Sequence, residues 1–447
     1  MALAEFPLSW PWALPFAGLL VSIACGPLVA PKWHRHYGTV AFVWSVFTLA
    51  PLAAVYGIPT ALMALSRAAL GEYLGFIVLL TSLYVVSGGI LVTGRLGGGP
   101  FVNTALLALG TALASVVGTT GAAMILIRPL LRANAARLHN VHVVVFFIFL
   151  VANIGGALSP LGDPPLFIGF LHGVDFFWTA THLWRPTLLA AGLVLAVFFA
   201  TDVWYWRKDR LVSVVGEKPP PDPVRIRGLV NLTLVSLIVA TSVLTALWKP
   251  ATGFAVWGTV IRLEDVCRNA VLAAITVLSL VLTPDEHRES NGFTFEPIVE
   301  VAKLFAGIFV CMIPVMAMLE RGRAGPFAGL LALTTDAAGN PNDAVYFWVT
   351  GALAAVLDNA PTYLMFFGLA GGDAPGLMAG HAGTLAAISM GAVYMGGLTY
   401  VGNAPNFMIR AIAVERGIAM PGFLRHTAWA GAVLLPVFAV VTLVFQR

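Results

Sequence analysis

Charge is what this sequence has least of. Asp, Glu, Lys and Arg make up 10% of its 447 residues, against about 25% in a soluble domain. A chain this poor in charge cannot cover a water-facing surface, so a soluble fold is excluded. Cysteine is nearly absent. Cys25, Cys267 and Cys311 lie in or beside apolar runs with no Cys-x-x-Cys. They offer no redox or zinc motif and read as small core residues. The net charge is only +4, and the basic residues sit in short loops rather than one patch; that argues against nucleic-acid binding and for membrane orientation signals. His139, His142 and His426 border apolar runs in no metal- or haem-like spacing, and read as packed or interfacial residues. There is no His-Glu-x-x-His, phosphate-cradling glycine loop, serine-hydrolase elbow or dinucleotide fingerprint. Gly97-Gly-Gly-Pro100 is a loop ahead of the next apolar run.

Hydrophobic residues dominate instead, at 59%, with 28 Phe and 12 Trp and a mean hydropathy of +0.88. A span needs about 20 apolar residues. Candidate runs are 11–30, 38–57, 73–94, 101–131, 140–158, 183–204, 228–247, 266–283, 297–319, 343–370, 384–402 and 422–445. Runs 101–131 and 343–370 are too long for one simple crossing, so each is expected to be a span plus a re-entrant or broken helix. The first run has no basic flank or evident cleavage site and reads as a retained span rather than a signal peptide. The expected fold is an all-α polytopic membrane protein of 10–12 transmembrane helices.

The most polar stretch, 205–227, holds Arg207, Lys208, Arg210, Lys218, Arg225 and Arg227 around Pro219-Pro-Pro-Asp-Pro223. It reads as a cytoplasmic linker. Lys32, His34, Arg35 and His36 mark a second cytoplasmic loop, which would put the N-terminus outside.

The chain repeats itself at an offset of 240 residues. Thr111-Ala-Leu-Ala-Ser-Val-Val117 overlays Gly351-Ala-Leu-Ala-Ala-Val-Leu357, and Leu161-Gly-Asp-Pro-Pro-Leu-Phe167 overlays Val401-Gly-Asn-Ala-Pro-Asn-Phe407. Leu158 also overlays Leu398, and Ser159 overlays Thr399. The span order makes the repeats inverted, as in many secondary transporters. The organisation expected is scaffold helices in 1–58, repeat one in 59–204, the linker in 205–227, connecting helices in 228–294 and repeat two in 295–447.

Each repeat carries a carboxylate in a broken segment, Asp163 in Asn153-Ile-Gly-Gly-Ala-Leu-Ser-Pro-Leu-Gly-Asp-Pro-Pro-Leu-Phe167 and Asp358 in Leu357-Asp-Asn-Ala-Pro-Thr362. Ionisable groups at membrane depth are expensive and usually functional. The plainer alternative is helix capping or turn formation, since Asp before Pro is a common turn former. Pro160, Gly162, Pro164 and Pro165 prevent a regular helix. The freed carbonyls, Ser159 and Asp163 make hard oxygen ligands suited to Na⁺, and Thr399, Asn403 and Asn406 form a similar uncharged break. Gly118-Thr-Thr-Gly121 and Asp358-Asn-Ala-Pro-Thr362 are partners under the same offset. The cation and proton ligands read from these motifs are Asp163, Asp358, Asn153, Thr119, Thr120, Asn359, Thr362, Ser159, Thr399, Asn403 and Asn406, with Asp163 and Asp358 as Na⁺ ligands. Ser, Thr and Asn also serve simply as interhelical glue. Glu296, Glu300 and Lys303 share one helix face. Glu300 and Lys303 read as a buried ion pair, or as a lysine neutralising a vacant carboxylate site. Arg128 and Arg410, just past the breaks, are interfacial anchors or attract a carboxylate.

These words resemble the ion transporter superfamily, which includes NhaD-type sodium/proton antiporters, arsenite permeases, metal-citrate transporters and sodium-coupled dicarboxylate transporters. The branch of sodium/proton antiporters and citrate transporters is nearest, on Asn153-Ile-Gly-Gly…Pro160-Leu-Gly-Asp-Pro-Pro-Leu166, Glu296-Pro-Ile-Val-Glu-Val-Ala-Lys303, Leu357-Asp-Asn-Ala-Pro-Thr362 and Gly402-Asn-Ala-Pro-Asn406. The resemblance covers nearly the whole chain. It implies inverted repeats, re-entrant hairpins, an elevator-like transport domain and a homodimer. Dicarboxylate members carry Ser-Asn-Thr at the hairpin tips, where this chain has Gly-Thr-Thr and Asp-Asn-Ala; that departure weighs against a carboxylate substrate.

The function expected is Na⁺ or Li⁺ exchange for protons in a bacterial inner (plasma) membrane, with Na⁺ and H⁺ as cargo and no cofactor. Na⁺ and H⁺ would compete for Asp163, and for Asp358 as a second candidate, and perform antiport by alternating access. The runner-up is cation-coupled transport of citrate or a similar carboxylate. A channel would expose rings of like residues from several subunits, which two unlike halves fit poorly. An intramembrane enzyme or electron carrier would need a nucleophile–base pair or haem ligands.

Overall fold

Proline and glycine placement sets where the helices start and stop. The structure, a computed structural model, describes residues 8–29, 36–94, 96–212, 223–248, 250, 252–336 and 340–446. Lys32, His34, Arg35, Lys218 and most of the Pro219–Pro223 run lie outside the described residues, as does the side chain of Cys25. Helices α1 (Leu14–Val29) and α2 (Tyr37–Tyr56) precede α3 (Ile58–Ser66), which runs through a π-helical turn (Arg67–Tyr73) into α4 (Leu74–Gly88). Ile58–Gly88 is thus one 31-residue rod. The sequence reading began this span at residue 73 because Arg67 and Glu72 interrupt its apolar run. The wide π turn carries those polar residues through without ending the helix. Strand β1 (Leu91–Thr93) follows.

Next come α5 (Pro100–Val117), α6 (Thr119–Ala133), α7 (Val141–Leu150), a 3₁₀ turn (Ile154–Leu158), α8 (Pro164–Leu171) and α9 (Trp178–Val212). The latter carries Arg207, Lys208 and Arg210, so part of the polar stretch is helical. Strand β2 (Arg225–Arg227) pairs antiparallel with β1, Leu91 opposite Arg227. Helix α10 (Leu229–Leu247), a β3–β4 hairpin (Gly253–Val256, Thr259–Arg262), α11 (Leu263–Leu282), α12 (Asp285–Ser290), α13 (Glu296–Leu319) and α14 (Ala328–Thr334) lead to the second half. That half is α15 (Asp343–Leu357), α16 (Asn359–Leu369), α17 (Ala374–Gly380), α18 (Ala382–Met395) with a 3₁₀ turn (Gly396–Leu398), α19 (Ala404–Glu415) and α20 (Phe423–Phe445).

Among the described residues nine helices are long and apolar enough to cross a membrane, ten if the bent pair α17–α18 counts as one. The protein is an all-α polytopic membrane protein. The two over-long apolar runs are not continuous helices. Run 101–131 is the pair α5–α6, broken at Gly118, and run 343–370 is the pair α15–α16, broken at Asp358. Both pairs fold back on themselves. Asn103 near the start of α5 and Asn134 just past α6 exchange amide hydrogen bonds of 2.9 and 2.8 Å. In the second pair Tyr346 and Phe366 pack edge to face at 6.3 Å.

The two hairpins open in opposite directions, with α9 as the ruler. Asn103, at the open end of the first, donates to Asp202 Oδ2 at 2.8 Å. At the other end of α9, the backbone N–H of Asp175 reaches Met378 Sδ at 3.3 Å, beside the open end of the second hairpin. Trp178 and Asp202 are about 36 Å apart at 1.5 Å rise per residue, a membrane's thickness. The halves are inverted.

At its Asp202 end α9 is tied down by a cluster around Arg137, Asp202 and Asp209, three residues the sequence reading passed over. Arg137 pairs with Asp202, and its Nε lies 3.2 Å from Asp209 Oδ2. His142 Nε2 sits 2.9 Å from Asp202 Oδ1, and His139 Nδ1 lies 2.5 Å from Asp209 Oδ1. The two histidines also stack on Tyr205. Removing one partner of a buried pair leaves an uncompensated charge, worth about 3–5 kcal/mol. Arg137→Met is therefore expected to lower thermal stability in detergent by that order, while Arg323→Gln, on an exposed turn, leaves it unchanged. Equal melting temperatures would contradict this role.

Candidate ion-binding site

The two hairpin tips have the same backbone. Gly118 adopts φ 80°, ψ 154° and Asp358, its repeat mate, φ 88°, ψ 143°. Positive φ lets one helix stop and another start at a single residue. Glycine does this freely; for aspartate it stores on the order of 1–3 kcal/mol of strain. Besides Asp358, only Trp257 among the described non-glycine residues has positive φ. The Asp358 carboxylate accepts from the N–H of Ala360 at 3.2 Å, and Thr362 Oγ1 donates to the Asp358 carbonyl at 2.8 Å. The capping reading of Asp358 is therefore met, yet glycine at the mate shows that capping does not require a carboxylate.

Asp163 behaves differently. It occupies the N-cap position of α8 but makes no side-chain cap bond. Prolines at 164 and 165 start the helix without needing one. Its carboxylate, 1% exposed, instead receives neutral donors from both repeats. Thr119 Oγ1 donates to Oδ1 at 3.1 Å, Asn403 Nδ2 to Oδ1 at 3.0 Å, and Asn359 Nδ2 to Oδ2 at 2.5 Å. Thr119 and Asn359 are repeat mates, and so are Asp163 and Asn403. The two halves thus meet about a local two-fold at one carboxylate. Among the described residues no lysine or arginine pairs with Asp163. The other amide atom of Asn359, Oδ1, is buried and has no hydrogen-bond partner.

The remaining polar residues stitch the breaks together, again in matching pairs. Ser159 Oγ donates to the Ser115 carbonyl, and Thr399 Oγ1 to the Ala355 carbonyl at 2.5 Å. Ser159 accepts from the N–H of Leu161, and Thr399 from those of Val401 and Gly402, all at 3.1 Å. Asn153 donates to Ile148 O at 2.7 Å and Asn406 Oδ1 at 2.9 Å. Asn406 Nδ2 in turn reaches the carbonyls of Gly396 and Thr399, both at 2.9 Å. Asn403 also donates to Ala152 O at 2.9 Å. Backbone approach here is so close that a Cβ on Gly162 would collide with the Gly156 carbonyl. Thr119 N–H closes the first tip onto Gly162 O at 2.8 Å.

Beside Asp163 lies a crevice of about 30 Å³, lined by Phe76, Leu83, Tyr84, Thr119, Thr120 and Phe167 among others. Thr120 belongs to this wall rather than to the carboxylate's bonded ring.

Glu296, Glu300 and Lys303 lie on the first two turns of α13. Lys303 is exposed, its stem against Gly38, while Glu300 is half-buried. Tyr37, at the start of α2, stands within electrostatic reach of both Glu300 and Asp358. Among the described residues neither Arg128 nor Arg410 pairs with an aspartate; Arg410 lies over the Tyr400 ring at 5.1 Å. His426 is buried against Tyr400 at 4.0 Å. Cys311 is fully buried and Cys267 partly so, both as free thiols. Sequence reading missed Ser115, whose Oγ donates to Gly155 O at 2.5 Å and accepts from the N–H of Leu158. Its place within the repeated Thr111–Val117 word was the available signal.

Two inverted halves, each a hairpin and a broken helix, closing on buried polar groups define a membrane transporter. The sequence profile of a family described as "Putative citrate transport" matches residues 5–446. The chain belongs to that family, within the ion transporter superfamily. No curated protein matches it.

Proposed function

We propose that this transporter exchanges Na⁺ or Li⁺ for protons by alternating access, with Asp163 as the shared site and Asp358 as a second carboxylate at the opposing tip. The observation that carries the reading is a buried carboxylate with no basic partner among the described residues, ringed by neutral donors from both repeats and adjoined by the orphaned Asn359 oxygen. Burial disfavours a bare carboxylate. A proton relieves that, and so does a cation. A half-turn of the Asn359 amide replaces its N–H bond to Asp163 with a carbonyl ligand beside the same carboxylate, which favours a cation when the proton leaves. The hairpin tips and breaks are bonded to one another on every side, so they would move as one block between the two membrane faces.

Size supports an ion. The crevice of about 30 Å³ has room for a water or two, whereas citrate is several times larger. Cation-coupled citrate transport is the second reading, favoured by the family's description; it requires the tips to separate widely in another state.

The test is transport in proteoliposomes with an internal pH dye and an imposed proton gradient, adding Na⁺, Li⁺, K⁺, or citrate with and without Na⁺. Proton movement on Na⁺ or Li⁺ alone is expected. Silence to cations with uptake of citrate would replace this reading by the second. Because one carboxylate holds either ion, the apparent KM for Na⁺ is expected to fall by up to about tenfold per pH unit while the proton still occupies the site, then level off. A pH-independent KM would refute competition at a shared site.

A further inference from the structure

We infer that Arg128 anchors a binding site for an oxyanion, a phosphate or carboxylate group, at the open end of the first hairpin. Arg128 lies on α6, about 8 Å along the axis before the helix ends. It is 7% exposed, and its Nη1 is buried without any hydrogen-bond partner. A guanidinium carries five donors and never loses its charge, so an unmet buried donor of this kind calls for an acceptor.

The donors nearby bond to backbone carbonyls that receive no bond from Arg128. Arg132 Nη2 donates to Val92 O at 2.6 Å, Arg288 Nη1 to Val85 O at 2.8 Å, and Asn291 Nδ2 to Gly88 O and Ile90 O at 3.0 and 2.8 Å. The guanidinium presses on Gly292, at φ 54°, where a Cβ would collide with Nη2. The backbone therefore makes room for the charge without accepting from it. The titratable groups within reach are Arg132, Arg416, Glu415 and Tyr84, with an excess of positive charge where α6 and α19 end. The repeat mates of Arg128 and Arg410 are Gly368 and Phe170, so this basic end belongs to one membrane face only. Two donors of a fork beside further cations suit an anion with at least two oxygens. A phospholipid headgroup and a free anion present the same chemistry at this depth.

The inference is independent of the cation reading, and its test holds Na⁺ constant. The full-length protein in detergent is melted with sodium phosphate, sodium citrate or sodium chloride at equal Na⁺ and ionic strength. It is melted again in nanodiscs of phosphatidylcholine with and without phosphatidylglycerol. A saturable rise of a few degrees is expected with phosphate or citrate if the anion is free, or with phosphatidylglycerol alone if it is a headgroup. Arg128→Gln removes the rise and Arg323→Gln keeps it. Should Arg128→Gln fail to fold, Arg128→Lys keeps the charge without the fork and is expected to weaken the midpoint concentration about tenfold or more. No rise with any of these in the unaltered protein, or an unchanged midpoint in the Arg128 variants, overturns the site.

Discussion

Asp163→Asn is expected to abolish cation-driven proton movement, at least 100-fold below the unaltered protein, while the protein still purifies as a folded species. The shape of the side chain is kept, so the packing of the break against Gly156 is undisturbed. What disappears is the negative charge that accepts from Thr119, Asn403 and Asn359 and that alone can bind either a proton or a cation there. Asparagine already stands at the repeat mate, Asn403, so the local backbone tolerates it. The same variant is expected to lose the rise in melting temperature that Na⁺ produces by binding the folded state. Retained transport would sink the mechanism. Lost transport with full Na⁺ stabilisation would move the cation elsewhere, with Asp358 the first place to look.

Asp358→Gly separates function from stability in the opposite sense. The residue holds φ 88°, a conformation its mate Gly118 adopts without strain. Relief of the strain is worth on the order of 1–3 kcal/mol, offset by the lost cap on Ala360, roughly a few tenths of a kcal/mol for glycine, and by glycine's greater freedom when unfolded. The variant is expected to be as stable as the unaltered protein or slightly more so, and to transport at least tenfold more slowly. A strained residue whose removal does not destabilise is one kept for its chemistry. Normal transport in Asp358→Gly would reduce the carboxylate to a cap. A large loss of stability would show instead that its bonds to Ala360 and Thr362 hold the tip together.

Much of this architecture is legible in one dimension because it is built on proline, glycine and period. The offset of 240 residues aligns Gly118 with Asp358, Thr119 with Asn359, Ser159 with Thr399 and Asp163 with Asn403. The structure gives each pair the same position, and Ser159 and Thr399 nearly the same bonds. The breaks are visible because Pro160, Gly162, Pro164 and Pro165 crowd into one short stretch; the single prolines Pro51, Pro129, Pro186, Pro314 and Pro436 sit inside continuous helices. By contrast, the rod Ile58–Gly88 was obscured by Arg67 and Glu72, since hydropathy registers polarity but not a π turn that carries it through. The Arg137–Asp202–Asp209 cluster was hidden for a related reason. Its members lie far apart in the chain, and each looks like an ordinary charge at the end of an apolar run.

The sequence by itself determined that this is a membrane protein of two related halves, because scarcity of charge and apolar length are set by the lipid solvent and not by tertiary detail. It also determined where the broken segments lie, since clustered prolines and glycines act locally. Only the tertiary structure decided which polar groups meet. That Asn359 donates to Asp163 across 196 positions, while Ser159 and Thr399 turn back onto their own hairpins, depends on two inverted hairpins meeting tip to tip. Contacts of that kind follow from the packing of the whole bundle, and no residue type or spacing along the chain encodes them.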